Sequence, residues 1–155
     1  MPELKPLKPE AVPSALGKAK RYRLLDEPDE AESICMDILA VDPDHQEALI
    51  TLLLAMTDKF DEAGLQPSFD RAADITARLA GASEKSYYTG LVYERRAKFH
   101  FRQGGPKADA TAYAWFAKAM HEYSQAMSGG AADNQDAVLR WNSCVRFIKN
   151  HPELK

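Results

Sequence analysis

Cysteine is scarce in this sequence: the two present, Cys35 and Cys144, stand far apart, and neither belongs to a CxxC or Cys/His cluster. That spacing indicates neither a disulfide framework nor a zinc site, and two buried thiols in a reducing compartment are expected. Long hydrophobic runs are absent as well. The longest strongly apolar stretch, Ala48 to Met56, is interrupted by Thr51 and is much shorter than the ~18–20 residues a membrane span requires. No hydrophobic stretch of a signal peptide follows the N-terminal Met, so a cytoplasmic location without membrane association is expected. Charge of one sign is also lacking. The 20 Lys and Arg face 23 Asp and Glu, a formal net charge of −3, which argues against a surface built wholly for nucleic acid or anionic membrane.

Signatures of catalysis and metal binding are missing too. His45, His100, His121 and His151 have no HExxH-type or mutual i,i+4 spacing that would set two on one helix face. Ser33, Ser86 and Ser143 fall inside predicted helices without the glycine-flanked turn that exposes a nucleophile, and Gly104-Gly105-Pro106 lacks the Lys-Ser/Thr of a phosphate loop. No catalytic residue, metal ligand or cofactor is therefore assigned, and a non-enzymatic protein is expected.

What the sequence does contain is helical periodicity bounded by proline and glycine. Residues 1–13 carry Pro2, Pro6, Pro9 and Pro13 and read as an extended lead. Helix 1 is predicted from about Ser14 to Leu25 and helix 2 from Pro28 to just before Asp42-Pro43. Asp44 and Glu47 resemble a capping box for helix 3, apolar nearly all round and predicted to be the most buried element. A looser segment, Asp61 to Pro67, precedes helix 4, which carries Phe69 to Leu79 and is closed by Gly81. Ser83 is positioned to cap helix 5, spanning Ser86 to Arg102. Helix 6 runs from about Ala108 to Met127, and helix 7 from near Asp133 to His151-Pro152, leaving 151–155 as a tail. Period-two alternation is absent over any useful length, so no sheet is predicted.

Pairing helices 1 with 2, 3 with 4 and 5 with 6 exposes an internal period: Ala15-Leu16 recurs as Ala48-Leu49. That interval is close to the ~34 residues of the tetratricopeptide repeat, and the first unit resembles that family further in Ala19, Tyr22, Ala31 and Pro43. The third unit repeats the theme with Gly90, Tyr93, Ala112, Phe116 and Ala119. A small residue at the crossing lets two antiparallel helices pack, and an aromatic fills the space between units. The middle unit departs from the pattern through an insertion around Asp61 to Gln66. The resemblance implies an all-α solenoid of about three antiparallel helix pairs over residues 14–150, with helix 7 as its cap. It also implies an interaction scaffold whose helices 1, 3, 5 and 7 line a groove for a peptide or partner helix.

Positions corresponding to the family's carboxylate clamp hold Leu16, Lys20, Thr51, Glu84 and Tyr88; only Lys20 fits, so that clamp is not expected. The groove would offer Lys20 and Arg23 from helix 1, Tyr87, Glu94, Arg95 and Lys98 from helix 5, and Trp141, Asn142 and Arg146 from helix 7. Arg beside Tyr and Trp is the composition that dominates interface energetics. The same cations equally describe a solvated face with a Glu94–Lys98 pair at i,i+4. A second reading tracks a nucleic-acid backbone with Lys18, Lys20, Arg21 and Arg23 and with Arg95, Arg96, Lys98, His100 and Arg102 while aromatics stack on bases. A third is self-association through the largely apolar helix 3 or through an uncapped end of the stack.

Overall fold

In the computed structural model, which describes residues 1–60, 64–131 and 134–155, every regular element among the described residues is helical. Seven α-helices follow one another: α1 (Val12–Leu24), α2 (Pro28–Val41), α3 (Gln46–Asp58), α4 (Leu65–Ala77), α5 (Ala82–Gln103), α6 (Ala108–Gly129) and α7 (Asp136–Asn150). Short 3-10 turns occupy Pro9–Ala11 and Pro152–Leu154. None of the described helices is long and apolar enough to cross a membrane.

Local chemistry explains where the helices begin. Pro28 enters α2 at its first position, where the missing amide donor has no intrahelical partner to lose, and Asp29 and Glu30 complement the helix N-terminus. The cap of α3 is His45 rather than the expected Asp44: the His45 Nδ1 accepts a hydrogen bond from the Ala48 amide at 3.1 Å. Pro67 stands in the first turn of α4, so the helix starts ahead of the expected Phe69. That helix closes at Arg78, and Gly81 instead precedes α5 as its N-cap residue. Ser83 makes no cap; its hydroxyl donates to the Ala126 carbonyl oxygen at 2.8 Å and ties the first turn of α5 to the last turns of α6. The expected start of helix 7 near Asp133 and the insertion's residues 61–63 lie outside the described residues.

Two units divide the chain, Met1–Lys59 and Phe60–Lys155. In the first, α2 packs on α1, and α3 packs on both. Ala19 and Ala31 are fully buried, as close crossing of α1 and α2 requires. Val12, Ile38 and Ala48 form an apolar cluster against which Leu7, Leu16 and Ile34 pack. The proline-rich lead therefore contributes Leu7 and Val12 to the core, and Ala11 is half-buried, while its other residues are exposed. Lys59 ties the end of α3 to the start of α2 through Asp29 at 2.8 Å and Glu32 at 2.5 Å. Burial works against its charge, but these two carboxylates outweigh burial and raise its pKa.

In the second unit α5 and α6 pack along most of their length, α7 packs on α6 and α5, and α4 packs on α5. The expected pairing of helix 3 with helix 4 is thus not how the units divide. Gly90 permits the α5–α6 crossing: a Cβ there would lie 2.8 Å from Tyr123 Cε1 and 3.1 Å from the Ala119 carbonyl oxygen. Ala112, Phe116, Ala119 and Tyr123 are fully buried at this seam. Leu154, expected in a tail, is buried in the same cluster.

Candidate functional site

Glu94 lies midway along α5 at zero exposure. An ionised carboxylate is tolerated there only if both oxygens are occupied. The Tyr123 hydroxyl of α6 donates to Oε2 at 3.1 Å, and Arg140 of α7 donates to the same oxygen through Nε at 3.1 Å and through Nη2. On the other oxygen, Cys144 Sγ donates at 3.4 Å, and Lys98 Nζ stands 3.5 Å away. One side chain thus joins three helices. Burial, and after it the charge of Glu94, pushes the Tyr123 hydroxyl far above its ordinary range. The same two causes push the Cys144 thiol up to about 12. Burial opposes the Arg140 charge, but the hydrogen bond and charge of Glu94 more than compensate and raise its pKa.

The Glu94–Arg140 pair is thus flanked by a phenol and a thiol that burial keeps neutral. Cys35 in the first unit resembles Cys144: burial, then Glu32, raises it to about 12. An aromatic disulfide reagent at pH 8 is therefore expected to leave both thiols of the native protein unlabelled and to label both at once in denaturant. Rapid labelling of the native chain would contradict the burial of either site.

A second constellation surrounds Arg96. Its guanidinium lies 4.3 Å from the Phe69 ring centre and 4.2 Å from that of Trp115. Tyr93 stacks on Phe69 and tilts against Trp115. Gln66 Oε1 accepts from Arg96 at 3.3 Å, and the His100 Nε2 accepts from Arg96 Nε at 3.4 Å. Helices α4, α5 and α6 are pinned by a cation that already fills its own aromatic box. Arg96→Ala is expected to lower stability by about 1–2 kcal/mol through lost cation–π and stem packing.

His100 adds a pH dependence. Burial, and then the Arg96 charge, lowers its pKa below the usual 6.5. A depressed pKa means the unfolded chain takes up the proton first as pH falls. Its stabilising contribution is therefore present above pH 6.5 and lost below it. Urea midpoints measured between pH 7 and pH 5 are expected to fall less in His100→Gln than in the unsubstituted protein.

Where α5 and α7 begin and α6 ends, a cavity of about 120 Å³ opens among Ser83, Glu84, Tyr87, Tyr88, Met127 and Asp136. The Tyr87 and Tyr88 rings stand 4.9 Å apart at 87°. Tyr87 also rests against Tyr123, centre to centre 5.9 Å, so the cavity wall is anchored on the Glu94 cluster. Burial, with smaller contributions from Tyr87, Glu84 and Asp136, raises the Tyr88 hydroxyl to about 12.

The expected groove residues are distributed as follows. Lys20 pairs with Glu47 at 2.8 Å, and Arg23 makes a two-pronged pair with Asp58 at 2.7 and 3.2 Å, so both α1 cations are engaged by α3. Glu94 is buried and cannot touch a partner; its role is to hold α5, α6 and α7 in place. Lys98 leans on Glu94 and on the Phe147 ring. Tyr87 opens onto the cavity, whereas Trp141 lines a separate depression between α6 and α7 with Tyr113, Met120 and Ile148. Arg95 is half-buried on α5, Asn142 half-buried and Arg146 exposed on α7.

Sequence reasoning missed Arg140, Tyr123, Tyr88 and Asp136. The i,i+4 search found Lys98 as the partner of Glu94 but could not see Arg140, which lies 46 residues away. The adjacent Tyr87-Tyr88 pair was the available signal for the cavity. Comparison with family models, curated proteins and solved structures finds no match to this chain.

Proposed function

We propose that the chain is a non-catalytic, tetratricopeptide-like interaction scaffold whose second unit binds a segment of a protein partner along α5 and α7. The small-residue crossings support the repeat reading: Ala19 and Ala31 are fully buried in the first unit, and Gly90 admits the Tyr123 ring in the second. A single observation carries the binding reading, the cavity walled by perpendicular tyrosines and seated on a fully satisfied buried ion pair. Such rigid aromatic walls lose little entropy when a ligand is seated, which suits an anchor pocket. From that pocket Tyr88, Arg95 and Arg102 follow one another along one face of α5 at helical spacing.

The nucleic-acid reading receives less support, because Lys20, Arg23, Arg96 and Lys98 are each held by a carboxylate, a ring or an amide within their own unit. Peptides selected from a displayed random library against the protein test the proposal. The double variant Tyr87→Ala with Arg95→Ala is expected to bind them about tenfold or more weakly, by the loss typical of a truncated anchor pair. Circular dichroism must show that its helices remain intact. Equal binding by both proteins would remove α5 from the binding face.

A further inference from the structure

We infer that the cavity at the ends of α5, α6 and α7 receives an alkylammonium group, carried on a lysine side chain of the bound segment; this rests on the reading of the second unit as a segment binder. Its lining is built from π-systems and acceptors. Tyr87 and Tyr88 supply two walls at right angles, and a cation over such faces is attracted by the ring quadrupole. Glu84 and Asp136 line the same space. Neither carboxylate has a hydrogen bond or ion pair with any described side chain.

The helix ends do not reverse this charge. The N-termini of α5 and α7 contribute about half a positive charge each and the C-terminus of α6 about half a negative one. Two full carboxylates exceed that sum, and of the two cations that act on Tyr87, Arg140 and Arg95, the first is paired with Glu94, so the lining favours a cation over an anion. The last carbonyls of α6 add acceptors, and one of them, on Ala126, is already taken by Ser83. A volume of about 120 Å³ is several times the ~10–15 Å³ that one water needs on the same measure, which leaves room for an ammonium head with its nearest carbons. The Asn134 Oδ1 accepts from the Asp136 amide at 3.0 Å, fixing the residue that carries one of the two carboxylates.

The test is a titration of the whole chain with n-butylammonium and tetramethylammonium chloride, followed by NMR shifts of the Tyr87 and Tyr88 rings, with n-butanol as the neutral control. Both cations are expected to shift these rings saturably and butanol not to do so. Tyr88→Leu should weaken the response about fivefold and Tyr88→Phe less than about twofold, because the ring face and not the hydroxyl provides the attraction. Glu84→Gln with Asp136→Asn, conservative in shape and placed at exposed first-turn positions, should abolish it. The two possible sources of the group are separated with peptides carrying lysine, trimethyl-lysine or acetyl-lysine. Binding of either charged form and not of the acetylated one supports the inference, and their ratio identifies the source. Equal responses to butanol and butylammonium, or no response to either cation, would overturn it. If library-selected peptides still bind in that case, only the ligand class is wrong; if they also fail, the binding function falls with it.

Discussion

Replacing Glu94 with alanine is expected to lower the stability of the second unit by about 3–5 kcal/mol, the loss typical of breaking a buried ion pair from one side. The substitution removes the acceptor of Tyr123, Arg140 and Cys144 together. Arg140 keeps 32% of its side-chain exposure and can be partly rehydrated, which places the effect toward the lower end of that range. Trp115 and Trp141 both lie in the second unit, so tryptophan fluorescence in urea reports its unfolding apart from the first. The midpoint should drop while the slope with urea stays constant. Replacing both partners by apolar residues, Glu94→Leu with Arg140→Met, should recover much of the loss, because an absent ion pair leaves no stranded charge. An unchanged midpoint in Glu94→Ala would show that the cluster contributes nothing to the fold.

Gly90→Val should cost about 3 kcal/mol, at the upper end for an overpacked core. Even the first added carbon would stand 2.8 and 2.9 Å from two atoms of the Tyr123 ring and 3.1 Å from the Ala119 carbonyl oxygen. The ring cannot swing aside without leaving Glu94, and the carbonyl belongs to the backbone of α6. Gly90→Ala meets the same obstruction with less bulk and gains about 1 kcal/mol of helix propensity, so its net cost should be distinctly smaller. If steric conflict is the cause, Tyr123→Leu in the Gly90→Ala background should cost less than the two single losses added together. Additive losses would mean that the crossing tolerates a side chain at position 90.

These two residues also mark how far the amino-acid order reaches. Gly90 was legible, because a small residue three before Tyr93 on an amphipathic helix signals a close crossing. Glu94, read only through its neighbour at i,i+4, was placed on an exposed face and turned out to be the polar centre of the second unit. Arg96 likewise read as one cation in a basic stretch. Its aromatic partners come from α4 and α6 and are brought near only by packing.

Helix content, most helix ends and the small-residue crossings are properties of short windows. The proline at Pro28, the glycines Gly104 and Gly105 after α5, and the apolar stripes act within one or two turns. The sequence by itself therefore determined the seven helices and the absence of a sheet among the described residues. Which charges meet, which side chains close a cavity, and that His45 rather than Asp44 caps α3 depend on rotations of a few tens of degrees about helix axes. Only the tertiary structure decided those, because a side chain's partner in a helical protein is set by the crossing geometry of elements far apart in the chain.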